Sequence, residues 1–323
     1  MLGMDLTNMT LNDELDEWLV LARTRVTPTT YRSYVYRCRT YLRPKLGDCL
    51  VGELTIPQLN SHFIWLLHHG GPLKHTMVAA IHIVLRKALA DAVRTGRLAD
   101  NVAARLTLPR HNPDGDLEPD TLHTWDAAQA ARFLELTAND PLHGVWRLAL
   151  ATGMRRGEVL GLRWEDVEVS VPQIRVLKGL SYADGAFRLG TTKTGRGRVI
   201  AIDQATADIL ARQPPPTDPD WPLVFTRPNG KPWRPVHVTQ LWCYQWPELD
   251  LPRIRLHDLR HCHACLLLDQ GVPVKVVSER LGHRSIAKTL NTYAHVLPAQ
   301  DREAAQAIQR AMRGQRRRPD PTP

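Results

Sequence analysis

Residues 109–120, PRHNPDGDLEPD, divide the sequence into two parts. Three prolines and a glycine set among acids cannot propagate a helix, because proline lacks the amide donor and its ring clashes with the preceding turn. The stretch is read as an interdomain linker between a domain at 1–108 and a second at 121–313. A basic, proline-rich tail follows at 314–323. At 323 residues the chain is long enough for each domain to bury its own core.

The first hundred residues carry helical periodicity. Thr27 and Pro28 suit an N-cap and first helical position. Behind them Tyr31, Tyr34, Val35, Cys38 and Leu42 recur at helical spacing, with Arg32, Arg37, Arg39 and Arg43 between them. Further helices are predicted over 56–67 and 73–95, the latter setting His75, Arg86, Lys87 and Arg94 around an Ala, Ile, Val and Leu stripe. Composition supports equally a bundle with ordinary solvated charge and a small DNA-gripping domain. In the second case Arg32, Arg37, Arg39, Arg86 and Lys87 contact phosphates.

Past the linker, 126–136 and 142–151 read as helices. Over 173–202 the period changes to short β-branched runs, broken by Asp184-Gly185 and by Thr194-Gly195-Arg196-Gly197, which predicts three short antiparallel strands. A proline-rich loop at 213–222 follows, then helices to the C-terminus. The fold class expected is mainly α with a small antiparallel sheet, built as an N-terminal helical domain and an α+β domain. No internal repeat is evident.

A formal net charge of +9 favours a polyanionic partner. No run approaches the roughly 18 apolar residues of a membrane span, and the early Asp5 does not suit a signal peptide. An intracellular nucleic-acid partner fits best. The five cysteines, an odd and scattered set, argue against a disulfide framework. Cys262 and Cys265 form a C-x-x-C among His257, His261 and His263, but no second ligand pair accompanies it. Small buried thiols on a helix are favoured over a zinc site.

Four separated segments carry polar residues that suit a common chemistry. They are ATGMRRGEVLGLRW (151–164), TTKTGRGRVIAI (191–202), LHDLRHCHA (256–264) and LGHRSIAKTLNTYAH (281–295). In this order they resemble the tyrosine recombinase, or phage integrase, family, over roughly residues 10–310. The resemblance implies a helical core-binding (SAM-like) domain followed by the α+β catalytic domain. It implies a site-specific enzyme that cleaves and rejoins DNA strands, integrating or excising a mobile element or prophage.

In-line attack on a phosphodiester places extra negative charge on its oxygens, which fixed cations in a dry site stabilise. Arginine suits this because its fork contacts two oxygens and keeps its proton. By resemblance Arg155 is the first catalytic arginine, and Arg260 is that of H-x-x-R. His257, three residues before Arg260, falls on the same helical face. Arg156 and Arg163 are read as ordinary surface or ion-pair residues. Lys193, before a glycine turn, is implied to protonate the 5′-oxygen leaving group. His283, behind Leu-Gly, is implied to hydrogen-bond a non-bridging oxygen, and His257 to assist proton movement. Glu158 is read as orienting an arginine or His257.

Tyr293 is implied as the nucleophile. It lies ten residues after His283, among Thr289, Asn291 and Thr292, which give little reason for a buried aromatic. A free phenol titrates at about 10, and cationic neighbours are expected to favour phenolate. One phosphoester replaces another, so neither ATP nor metal is required; no G-x-x-x-x-G-K-[ST] loop and no evident magnesium carboxylate cluster is present. No cofactor is expected.

The implied partners are double-stranded DNA at specific core sites and a homo-tetramer on synapsed DNA, with room for a host bending factor or an excisionase. The expected location is the bacterial cytoplasm, on the nucleoid. The helical pattern at 298–312, with Ala304, Ala305, Ile308 and Met312 as an apolar stripe, is read as docking on a neighbouring subunit rather than on its own domain. Helices begin near Thr10, which leaves no room in this sequence for the arm-site domain of many phage integrases. Two other readings are a type IB topoisomerase and a non-catalytic DNA-binding regulator. The complete polar set argues against the regulator.

Overall fold

The computed structural model describes residues 8–68, 73–108, 123–192, 195–244, 249–293 and 300–312. The expected linker at 109–120, Lys193 and the tail lie outside the described residues. The chain divides into two compact units, Met1–Pro119 and Asp120–Pro323.

The first unit is helical: α1 (Leu11–Arg25), α2 (Pro28–Arg37), α3 (Arg43–Leu46), α4 (Ile56–His68) and α5 (His75–Arg94). Thr10 starts α1 with a reciprocal cap, its hydroxyl accepting from the Asp13 amide while Asp13 accepts from the Thr10 amide. Thr27 and Pro28 open α2 as the sequence predicts. Between α2 and α3 a π-helical turn, Cys38–Leu42, adds a residue to the turn and lets Cys38 and Leu42 both face the core. The core joins Leu11, Leu15, Trp18, Leu59, Phe63, Ile81 and Leu85. Glu14 is fully buried there, and the Arg97 guanidinium offsets its desolvation through two hydrogen bonds of 2.9 and 3.0 Å.

The second unit runs α6 (Ala127–Leu136), α7 (His143–Thr152) and α8 (Arg156–Leu160), then β1 (Val167–Glu168), β2 (Gln173–Val176), β3 (Lys178–Ala183), β4 (Ala186–Thr191) and β5 (Arg198–Ala201). Helices α9 (Gln204–Ala211), α10 (Pro235–Tyr244), α11 (Asp258–Asp269), α12 (Val274–Leu281), α13 (Ile286–Tyr293) and α14 (Gln300–Met312) complete it. The fold is mainly helical with small antiparallel sheets, as expected.

The strands differ from the three predicted. One sheet has the order β1-β2-β5, and β3 with β4 forms a separate hairpin. The short polar Val167–Glu168 pair carries too little periodicity to read as a strand, and Leu177 separates two strands that the sequence runs together. Asp184 and Gly185 both take positive φ, 53° and 78°, which closes the β3–β4 hairpin with the twist that two-residue turns require. A large core packs Phe133, Trp146, Leu160, Ile174, Ile200 and Trp242 behind the sheets. A smaller cluster of Ala264, Leu268, Val277, Leu281 and Tyr293 lies apart from it. Among the described residues, no helix is long and apolar enough to cross a membrane.

Candidate active site

Two left-handed helix ends build the site. Helix α7 stops at Gly153, with φ 62°, and α12 stops at Gly282, with φ 65°. Each end leaves carbonyls without helical partners. Arg260, on the first turn of α11, joins them: one Nη donates to the Gly153 carbonyl and the other to the Leu281 carbonyl, both at 2.6 Å. A cation between two helix C-termini also meets the negative ends of their dipoles. Burial, and then the neighbouring Arg155, pull the Arg260 guanidinium down to about 9, so it stays protonated at neutral pH.

Arg155 caps α8, and Glu158 three residues on accepts from both its backbone amide (3.0 Å) and its Nη1 (2.8 Å). Glu158 is buried and also accepts from Arg198 Nη2 at 2.7 Å. Burial alone would raise this carboxyl; hydrogen bonds and charge from Arg198, then Arg155, outweigh it and hold Glu158 below its ordinary range. Arg198 in turn donates from Nε to the Arg280 carbonyl at 2.7 Å, tying β5 to the end of α12.

A cavity of about 570 Å³ is lined by Arg155, His257, Arg260, His261, His283 and Tyr293, with Gly282, Arg284, Lys288 and Thr292. Five of the six residues expected in the site thus meet at one surface; the sixth, Lys193, lies outside the described residues. The Gly195 amide donates to the Thr192 carbonyl at 2.8 Å. The His283 Nδ1 lies 2.8 Å from the Thr289 hydroxyl. His257 and His283 are both lowered to about 4, in each case by burial first, then by the His261 ring for His257 and by Arg260 for His283. Both are neutral imidazoles at neutral pH.

Tyr293 departs from expectation. It is only 1% exposed and packs in the small cluster with Ala264, Leu268, Val277 and Leu281. Burial raises its phenol above the ordinary value, and the opposing charge of Arg260 is the weaker effect. Cationic neighbours therefore do not produce phenolate in the chain by itself. The polar residues beside Tyr293 in sequence hid this, because its apolar neighbours come from α11 and α12.

Two residues of the site went unassigned in the sequence. His261 lies 2.8 Å from the Tyr293 hydroxyl through its Nδ1; its place four residues after His257 on a helix was a usable signal. Arg198 gave none beyond its charge, since nothing local announces a partner forty residues away. Arg163 pairs with Glu165 and Asp166, as expected of an ion-pair residue, whereas Arg156 is half-buried and donates to the Thr239 hydroxyl instead of lying on the surface or in an ion pair. Cys262 is buried, accepts from the Trp125 amide at 3.2 Å, and burial pushes its thiol up to about 12. Among the described residues no group of His, Cys, Asp and Glu is arranged to hold a metal.

In the first unit Arg32, Arg39 and Arg86 are exposed, and Arg37 is half-buried with its Nε unpartnered. Lys87 is exposed, yet its ammonium already donates to the Tyr34 hydroxyl at 2.8 Å and sits 5.3 Å from that ring's centre.

Comparison with known proteins agrees with this geometry. The phage integrase family model matches residues 126–300. A tyrosine recombinase XerC-like protein of Caldanaerobacter subterraneus subsp. tengcongensis is 24% identical over 95% of this chain and 84% of its own length. The ICEBs1 integrase of Bacillus subtilis is 30% identical over 57% of this chain, a match that spans 53% of that protein. A structure of the Tn1549 transposon integrase in complex with a circular intermediate DNA superposes with a TM-score of 0.77 at 20% identity, covering 93% of this chain and 99% of that one. The chain belongs to the phage integrase family and is a tyrosine recombinase, an enzyme that transfers DNA strands. This favours neither the topoisomerase nor the regulator reading.

Proposed function

We propose that the chain cleaves and rejoins DNA at specific core sites through a 3′-phosphotyrosine on Tyr293, integrating or excising a mobile element. The observation that carries this reading is the shared cavity lined by Arg155, Arg260, three imidazoles and the Tyr293 phenol. A phosphodiester seated there meets two guanidiniums that stabilise the charge developing on its non-bridging oxygens. His283 adds a hydrogen bond to one oxygen, and His257 assists proton movement. Lys193 protonates the departing 5′-oxygen. Glu158 holds Arg155 in place from behind. Ester exchange conserves the bond energy, so resealing draws on neither ATP nor a metal.

The first unit grips the duplex. Arg32, Arg39 and Arg86 offer exposed charge to phosphates, with Arg37 and Lys87 beside them. The homo-tetramer on synapsed DNA is supported by α14, whose Ile308 and Met312 are 58% and 80% exposed. A neighbouring subunit would cover that face.

The test is covalent capture. A nicked duplex, selected from a random-sequence pool for attachment to the native chain, should form a protein–DNA adduct. Tyr293→Phe should abolish the adduct and keep DNA binding. An adduct formed by the phenylalanine variant would assign the nucleophile elsewhere.

A further inference from the structure

The Tyr293 hydroxyl meets His261, whose Nδ1 stands 2.8 Å away with the two rings 5.7 Å apart at 55°. His261 follows Arg260 on α11, and its ring meets that of His257 edge to face, 5.5 Å apart at 88°. Both imidazoles line the same cavity as the phenol. Tyr293 is buried in one apolar cluster with Ala264, Leu268, Val277 and Leu281. A buried phenol that must attack at neutral pH needs an acceptor already within hydrogen-bond distance.

We propose that His261 is a catalytic residue, the base that takes the Tyr293 proton as its oxygen attacks the DNA phosphorus. This rests on the reading of Tyr293 as nucleophile given above. In cleavage the Oη–P bond forms as the P–O5′ bond breaks. The phenolic proton passes to His261 Nδ1, and the 5′-oxygen receives its proton from Lys193. In rejoining, the 5′-hydroxyl returns its proton to Lys193 as it attacks phosphorus, and the His261 imidazolium restores the proton to Tyr293. Acceptance at Nδ1 requires that the resting imidazole carry its hydrogen on Nε2. The Arg260 guanidinium, one residue away, stays charged throughout and faces the phosphate oxygens. His261 handles the proton while Arg260 handles the charge.

A structural hydrogen bond in the same place would have the opposite consequence. If Nδ1–H donated to the phenol, it would only anchor a resting tyrosine, and removing it would leave cleavage intact. Single-turnover adduct formation on the selected nicked duplex separates the two. His261→Ala should slow adduct formation by about a hundredfold, the lower range for a general base. Added imidazole should restore it by about tenfold or more, since it refills the space with a base. His261→Asn keeps a polar group near the Nδ1 position without basicity and should stay slow.

Less than about tenfold slowing in His261→Asn, or an alanine variant that imidazole leaves unchanged, overturns the assignment. Duplex binding reports whether the alanine variant folds; where it is lost, the asparagine variant alone decides. Failure of the underlying reading looks different: the Tyr293→Phe variant would then be captured, whatever happens at position 261.

Discussion

Glu158 and Arg198 lie forty residues apart in sequence and form a buried ion pair at 2.7 Å, with side chains 3% and 9% exposed. The pair sits behind the cavity, where Glu158 also holds Arg155. Its carboxylate is thus the joint between β5, which follows Lys193 in sequence, and the start of α8.

Glu158→Gln removes the charge and keeps the shape. It should destabilise the chain by about 3 kcal/mol, because two guanidiniums lose their buried counter-charge. Urea unfolding at neutral pH measures this. The sign of the pH dependence follows from the depressed folded value. Stability from Glu158 is fully present above the unfolded carboxyl value and is lost as pH falls through the lower folded one. The native chain should therefore lose this contribution below about pH 4, and the glutamine variant should not. Parallel acid titrations of the two proteins would refute the linkage.

Gly153→Ala should be costly for two reasons. The position has φ 62°, and an added Cβ would stand 2.7 Å from both His263 Cδ2 and Leu281 Cδ2. The left-handed strain and the overpacking together amount to about 2–4 kcal/mol. Gly271→Ala is the control: its φ is 73° but nothing lies within 4 Å of the added carbon. Its loss should be about 1–2 kcal/mol. Because the Gly153 carbonyl receives Arg260, the first variant should also cleave DNA more slowly, and equal melting temperatures for the two would contradict the packing argument.

Lys193→Ala should slow cleavage of an ordinary substrate far more than cleavage of one with a bridging 5′-thiol, which leaves without a proton. The comparison isolates the acid from phosphate binding. Equal losses on the two substrates would remove Lys193 from that role.

His263 is buried with its Nδ1 2.9 Å from the Leu150 carbonyl, and burial lowers it to about 3. The unfolded chain protonates this residue first. Its contribution is complete above the unfolded value of about 6.5 and declines below it, by up to about 1.4 kcal/mol per pH unit, until the folded value is reached. Melting temperature should fall from pH 7 to pH 5. His263→Asn should reduce that slope by up to about 1.4 kcal/mol per pH unit and leave the share that His257 and His283, also lowered by burial, contribute; an unchanged slope would remove His263 from the acid sensitivity.

Much of the site was legible because its residues lie in short segments with local meaning. Gly282 before His283 announced the helix end, and the i,i+3 spacing of His257 and Arg260 announced a shared face. Asp184-Gly185 marked its hairpin for the same local reason. What sequence spacing does not carry is the far partner. Arg198 reaches Glu158 only because β5 passes behind α8, and Tyr293 is buried only because α11 and α12 close around it. The count of strands failed similarly, since β1 exists through its pairing with β2 and has no pattern of its own.

The seat of Tyr293 in a satellite cluster, apart from the main core, fixes what it takes to present the phenol. Loosening the ring from such a seat, while its hydroxyl stays on His261, costs at most roughly 1.5–3 kcal/mol, a population of roughly one molecule in ten to one in two hundred. Arming is therefore a local opening, drawn from the low-energy end of the native ensemble, and the large core around Trp146 and Trp242 takes no part in it. Such an enzyme idles with the ring of its nucleophile held in apolar surroundings and the hydroxyl at the cavity wall, and DNA need contribute only a modest share of its binding energy to loosen it.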